Sequence, residues 1–552
     1  MNRLSSLLNG AVLGALLTAP LMGVFYLAEQ AFGLPFPPFD FFDWLARTLP
    51  GDVVVRSIEA MVDLIRRFDL GETSGTAKTL ERLSALAIFF GGGVLAGAAL
   101  FSLARYLTAR RRTLRAAWPG ALAGVLVSIP LIAISLNVTG SDTAPVITAG
   151  WLALAVATWG TALYAVAVRL PGPQRSEVSA VDAPGVLMAR PLSRREFLIR
   201  VGGASATLTV VGAAVGRYLE VREERNYQTL IRQRRAAAEA VAGQVELPNR
   251  DDPVQPVPGT RPEYTPLEDH YRIDINVRAQ DLDAATWRLR ISGLVERPQE
   301  LTLDEIVSDF SRINRYVTLS CISNPLGGDL IGTTRWTGAP LAEVLERAGV
   351  QPEATHLRIS SADGFYETVA LDLVRDDPRL MLTYAWDGIP LLHEHGYPLR
   401  LYIPDRYGMK QPKWITEIEA IAGDEDGYWV VRGWDKEARV RATAVIDVVA
   451  DDLSYTSEGA TLVPIGGIAY AGARGISAVE VRVDDGPWQP AQLRQPLSDT
   501  TWVLWRYEWP FAAGRHTFTV RCQERDGTPQ IEARAGTFPS GATGYHNLTR
   551  TL

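Results

Sequence analysis

Two cysteines and six histidines occur in the 552 residues, and their positions decide which chemistry the chain can support. Cys321 closes a strand-like run, residues 316–320, and opens a loop containing Asn324, Pro325, Gly327 and Gly328. A thiol at a strand-to-loop junction can reach a cleft, and its thiolate binds soft metals. Taken alone, the position fits a structural cysteine better than a ligand. Cys522 differs, because it alternates with Thr519 and Arg521 on the same side as Phe518 and Val520. That pattern points it into an apolar face, where a structural role is expected. Two cysteines also provide no disulfide framework. The histidines (His270, His356, His393, His395, His516 and His546) all follow the long apolar N-terminal region.

The elements that must position these groups begin in that region. Stretches at 7–28, 83–104, 118–138 and 146–168 are each close to the ~20 residues that cross a hydrocarbon core. No ionisable residue lies at their centres, which argues against a transporter. Gly91, Gly92 and Gly93 are read as close helix packing through small residues. A fifth, shorter apolar stretch at 201–216 follows Ser193-Arg194-Arg195-Glu196-Phe197-Leu198. That string resembles a twin-arginine export signal and implies that the downstream domain crosses the membrane already folded. It puts the Arg194 side in the cytoplasm, together with Arg105, Arg110, Arg111, Arg112, Arg115, Arg169, Arg175 and Arg190, in keeping with the positive-inside rule. Five spans result, with the N-terminus inside and the C-terminus outside. In the first outer loop, 29–82, Ile58, Met61, Val62, Ile65 and Phe68 recur at helical spacing, which suits a helix on the membrane surface or on the bundle. No histidine precedes His270, so the bundle is expected to hold no haem. The net charge of -7 argues against nucleic acid as a partner.

Residues 220–242 are charged and helix-prone, and five prolines between 248 and 262 then break regular structure. Downstream, short strand and helix signals alternate. Thr302 with Glu305 reads as a capping box, and Leu341, Val344, Leu345 and Ala348 share one helical face that ends at Gly349. Beyond about Arg441 only strand signals remain, as expected for a β-sandwich. The fold class is therefore multi-domain, with a transmembrane bundle at 1–218, a linker at 219–262, an α+β domain at 263–440 and an immunoglobulin-like sandwich at 441–552.

TLSCISN (318–324), followed by TTRWTGAPLAEVLERAG (333–349), resembles the metal-binding segment of the sulfite oxidase family of molybdopterin-dependent oxidoreductases. The block LLHEHGYPLRLYIPDRYGMKQPKW (391–414) resembles that family's cofactor-binding block, and GGIAY (466–470) its closing sandwich, a dimerisation-type domain. The resemblance implies a molybdenum–pyranopterin cofactor with Cys321 as the metal's thiolate ligand. It assigns His395, Arg400 and Lys413 to the pterin, with Asn324, Gly408 and Lys410 beside them. Tyr366 matches an active-site tyrosine, and Arg474 and Arg272 match residues of an anion pocket. One departure stands out: sulfite-oxidising members carry arginine after the Asn of the cysteine loop, and here Pro325 and Leu326 follow Asn324. The implied activity is oxygen-atom transfer on a small sulfur or other oxyanion substrate, on the outer face of an inner membrane. A separate cytochrome or quinone-linked protein is the expected electron partner, and a homodimer is among the expected assemblies. Reduction of S-oxides such as methionine sulfoxide and ligand binding by a non-catalytic tethered receptor are the alternatives.

Overall fold

The computed structural model describes residues 3–110, 118–138, 144–169, 194–242 and 247–552, which form two compact units. The first unit comprises Met1–Thr48 and Thr79–Leu230, and the second comprises Leu49–Lys78 and Ile231–Leu552. Among the described residues seven helices open the chain: α1 (Arg3–Phe32), α2 (Pro37–Thr48), α3 (Gly51–Arg67), α4 (Thr73–Arg110), α5 (Trp118–Val138), α6 (Pro145–Arg169) and α7 (Arg194–Ala242). Among the described residues, four helical segments are long and apolar enough to cross a membrane: Leu4–Phe32, Thr73–Leu107, Trp118–Val138 and Pro145–Val168. The fifth expected span lies inside the 49-residue α7, which is not among these four. Ser193, Arg111, Arg112, Arg115, Arg175 and Arg190, used above for the export signal and orientation, lie outside the described residues.

Small residues bring helices of the first unit together, as expected where lipid offers no hydrophobic drive. A Cβ added to Gly124 of α5 would stand 2.6 Å from the Cα of Ala157 in α6, and one added to Gly14 of α1 would stand 2.9 Å from the Gly93 carbonyl of α4. Gly93 packs in this way, whereas Gly91 and Gly92 meet nothing within 4 Å.

The helix expected on the membrane surface or the bundle is α3, and it belongs to the second unit rather than to the bundle. Its buried residues are Val55 and Ile65, while Phe68 just beyond it is exposed. Val55 packs with Ile322, Tyr407, Met409 and Trp434, an apolar surface formed far away in the sequence.

The rest of the second unit is β-rich. One mixed sheet has the order Gln299–Leu301, Leu289–Gly293, Ile415–Ile421, His356–Ser361, Tyr366–Ala370. A second antiparallel sheet runs Ile313–Ser320, Ile331–Pro340, Met381–Trp386, with Arg400–Tyr402 pairing the last of these. Their shared core includes Leu289, Ile291, Leu341, Val344, Leu345, Leu382, Leu401 and Ile418. The capping box forms as read: Glu305 N–H donates to Thr302 Oγ1 at 3.2 Å, and Thr302 N–H donates to the Glu305 carboxylate at 2.8 Å. Helix Leu341–Ala348 buries the expected face and stops at Gly349, whose φ of +68° suits glycine. At the C-terminus two antiparallel sheets enclose Ile446, Ile465, Val479, Val481, Trp505, Phe518, Val520 and Cys522. Cys522 is buried there, its N–H donating to Gln530 Oε1 at 3.0 Å.

Candidate cofactor site

Cys321 directly follows the Ile313–Ser320 strand, so the ladder fixes where the thiol emerges. Its N–H donates to Leu330 O at 2.9 Å, which closes the loop between them. Asn324 ties that loop: its N–H donates to Cys321 O at 3.1 Å, and its Oδ1 accepts from Leu330 N at 3.0 Å. Cys321 is buried, with Sγ 3.0 Å from Ser323 Oγ. Burial pushes its thiol pKa up, with Ser323 pulling the other way. A bound cation would reverse that balance and favour the thiolate.

Tyr271 connects the thiol to a cationic cluster. Burial raises its phenol pKa, as does Cys321, while Arg400 lowers it, so the ring senses both groups. Tyr271 also stacks on His270 at 5.2 Å. A Cβ at Gly408 would lie 3.2 Å from the Tyr271 hydroxyl, which explains a small residue there.

Arg400 stands on a short strand with 3% exposure, its guanidinium 4.7 Å from the Trp336 ring centre and 5.1 Å from that of Trp386. Its Nη1 donates to His395 O at 3.1 Å, and its Nε finds no hydrogen-bond partner among the described residues. Burial pushes its pKa down to about 10. Lys413 Nζ bonds the Asp274 carboxylate and donates to Glu394 O at 2.9 Å, lying over the Trp414 ring. Burial pulls its pKa down to about 8 against the opposing pull of Asp274. Arg272 Nε donates to Asp274 Oδ2 at 2.5 Å. Burial disfavours the Asp274 carboxylate, yet Lys413 and Arg272 hold its pKa well below the usual range. His395 packs 4.7 Å from Trp386 and 5.6 Å from His270. Burial keeps both imidazoles neutral at pH 7, with His270 pushed down to about 3.

The structure thus brings together Cys321, His395, Arg400, Gly408, Lys413 and Arg272, and adds His270, Tyr271, Asp274, Trp336 and Trp386. The added residues carry no motif of their own beyond aromatic character close to Arg272 and in the Arg335-Trp336 string. Three other candidates are engaged elsewhere. Lys410 Nζ donates to Glu367 Oε1 at 2.6 Å and to Thr368 O at 3.2 Å. Tyr366 lies beside Arg358, at 5.3 Å, and Tyr428. Arg474 bonds Asp405, Glu524 at 2.5 Å and Val440 O at 2.6 Å.

Arg400, Lys413 and Arg272 lie around the Asp274 carboxylate, and the buried Nε of Arg400 has no partner among the described residues. A buried guanidinium with an unsatisfied donor calls for an anionic ligand. The phosphate end of a pyranopterin, with the metal at Cys321, fits that donor set. Residues 276–429 match the oxidoreductase molybdopterin binding domain, which supports a molybdopterin oxidoreductase. It is 29% identical over 292 residues to nitrate reductase [NADH] 1 of Oryza sativa subsp. japonica, covering 41% of this chain and 31% of that one. It is 27% identical over 290 residues to mitochondrial sulfite oxidase of Macaca fascicularis, covering 45% and 53% respectively. It is 26% identical over 246 residues to the putative protein-methionine-sulfoxide reductase subunit YedZ1 of Azospira oryzae, covering 44% and 86%. The chain therefore spans about a third to a half of the plant and primate relatives' length. The matched domain and these likenesses support the sulfite oxidase family of molybdopterin oxidoreductases.

Proposed function

We propose that this chain is a membrane-anchored, extracytoplasmic oxidoreductase that transfers an oxygen atom to or from a small sulfur or other oxyanion substrate. The observation that carries the reading is the set of buried Arg400 and half-buried Lys413 and Arg272 around Asp274, in the same domain as the buried Cys321. In this reading Cys321 is the metal's thiolate ligand, and Arg400 and Lys413 hold the pterin phosphate, with Arg272 and His395 beside them. The bound group supplies two-electron oxygen-atom chemistry. The protein's part is to hold that group rigidly and keep it dry. The two tryptophan rings fix the plane of Arg400, and Asp274 fixes Lys413 and Arg272 before any ligand arrives. Four apolar helical segments support the anchor. The twin-arginine-like string and the basic residues flanking the spans support an outer catalytic face, with α7 as the fifth span. We read the C-terminal two-sheet domain as immunoglobulin-like and as the surface for dimerisation, and a separate protein as the electron partner.

Reduction of S-oxides is the second reading. It is favoured by Pro325 and Leu326 at the place where sulfite-oxidising relatives carry arginine, and by the likeness to the YedZ1 protein. Molybdenum and pterin content of the purified full chain tests the common part, and protein lacking both would overturn it. Steady-state kinetics with sulfite and with methionine sulfoxide separate the two substrates. Efficient sulfite oxidation at micromolar concentration would remove the second reading.

A further inference from the structure

The matched domain covers 276–429, yet one basic side chain at its buried cluster comes from about two hundred residues upstream. Lys78, in the first turns of α4, is 7% exposed. Its Nζ donates to Asp274 O at 3.2 Å and to Asn276 O at 3.0 Å. Those carbonyls belong to Asp274 itself and to the residue two further on, the backbone that carries the carboxylate bonded to Lys413 and Arg272. The segment bearing Lys78 also grips the loop after Cys321. Thr73 N–H donates to Asp329 Oδ2 at 2.8 Å, and Arg66 Nη2 reaches Leu326 O at 3.4 Å. Thr73, Ser74 and Ala77 are buried alongside.

We propose that Lys78 is a positioning residue of the cofactor site: it clamps the 274–276 backbone and adds a cation beside Asp274, so that the cofactor is retained only when segment 49–78 is docked. This rests on the reading of Arg400, Lys413 and Arg272 as the cofactor's cradle. A buried ammonium with two carbonyl partners holds a turn more firmly than neutral donors do, since hydrogen bonds involving a charged group are the stronger class. Its charge also adds to the field that draws an anion into the cluster. Asp274 is then fixed from two sides, by Lys78 through its own backbone and by Lys413 and Arg272 through its carboxylate.

The test uses the full-length detergent-purified protein, with molybdenum measured by elemental analysis and pterin by the fluorescence of its oxidised form. Lys78→Met should release cofactor about tenfold faster than wild type, the factor that one charge-assisted hydrogen bond commands. Lys78→Arg, which restores charge and donors, should return release to the wild-type rate. Lys78→Gln keeps an N–H donor without the charge, and it serves where Lys78→Met does not accumulate; its release should also be faster than wild type. Wild-type retention in Lys78→Met or Lys78→Gln, or no recovery in Lys78→Arg, would overturn the proposal. Wild-type protein with no molybdenum or pterin would instead overturn the functional reading beneath it.

Discussion

Replacing Lys410 by methionine isolates a single buried interaction. The Lys410 ammonium and the Glu367 carboxylate are 2.6 Å apart, with side chains 9% and 0% exposed. Burial already raises the Glu367 pKa, and Lys410 is the chief group opposing that rise. Glu367 Oε1 also accepts from Thr368 N at 2.8 Å, whereas Oε2 has no donor among the described residues. Methionine fills the lysine's volume but leaves the carboxylate uncompensated, and neutralisation is its escape. Protonating it at pH 7 costs about 1.36 kcal/mol for each of the roughly 2.7 units above an ordinary glutamic acid pKa of about 4.3, or about 3.7 kcal/mol. That agrees with the roughly 3–5 kcal/mol seen when one partner of a buried pair is removed. The sign with pH follows. The orphaned carboxyl is protonated in the folded state and ionised in the unfolded one, so the variant loses stability as pH rises above about 4.3. At pH 5 the same reckoning leaves about 1 kcal/mol. Urea unfolding of the full chain, followed by tryptophan fluorescence at both pH values, measures the difference, and Lys410→Met with Glu367→Gln should recover most of it. A loss under about 1 kcal/mol at pH 7, or one that does not shrink at pH 5, would refute the reasoning. If the double variant is stable but lacks molybdenum, Lys410 belongs to the cofactor after all.

Cys321→Ser should abolish turnover while the fold and part of the pterin content survive, because a hydroxyl replaces a thiolate poorly at a soft metal but is nearly isosteric; wild-type turnover would make the cysteine structural. Lys413 has its pKa lowered to about 8, so its charge is present below that value and lost above it. Cofactor release should therefore accelerate as pH rises past about 8, and Lys413→Arg should flatten the profile; a flat wild-type profile would show that Lys413 does not hold the anion. Arg474→Ala leaves Asp405 to Arg439 but takes the cation from Glu524, whose side chain is 10% exposed, and should cost about 3 kcal/mol in urea unfolding. Unchanged stability with a loss confined to anionic substrates would return Arg474 to the anion pocket.

The parts legible in the sequence are those set by local rules or by a run of neighbouring residues. The Thr302 capping box and the apolar face ending at Gly349 depend on spacings of three and four, and both form. Cys321, Arg400 and Lys413 stood out because each lies within a contiguous motif. What the sequence hid is partnership across long separations. Nothing local indicates that Val55 faces Trp434, that Asp274 is the carboxylate shared by Lys413 and Arg272, or that Lys410 and Arg474 have acidic partners. Helical periodicity in α3 gave its apolar face correctly in part, with Ile65 buried, but periodicity names no surface for that face to cover. Resemblance likewise supplies a residue's type and place without saying which neighbour has claimed its donors.

The composition of the second unit constrains how the chain is threaded. Leu49–Lys78 and Ile231–Leu552 form one compact body, and such a body occupies a single side of a bilayer. On the membrane-anchored reading proposed above, the chain between them crosses an even number of times. If α4, α5 and α6 each cross, as proposed above, parity gives the fourth crossing to α7 despite its modest apolarity. At 1.5 Å per residue its 49 residues extend about 74 Å, more than twice the ~30 Å of a hydrocarbon core. One helix is therefore long enough both to cross and to project beyond the lipid. Severing α7 after that crossing would not free the catalytic body outright, because Leu49–Lys78 remains covalently joined to α4 and would tether the rest by packing alone.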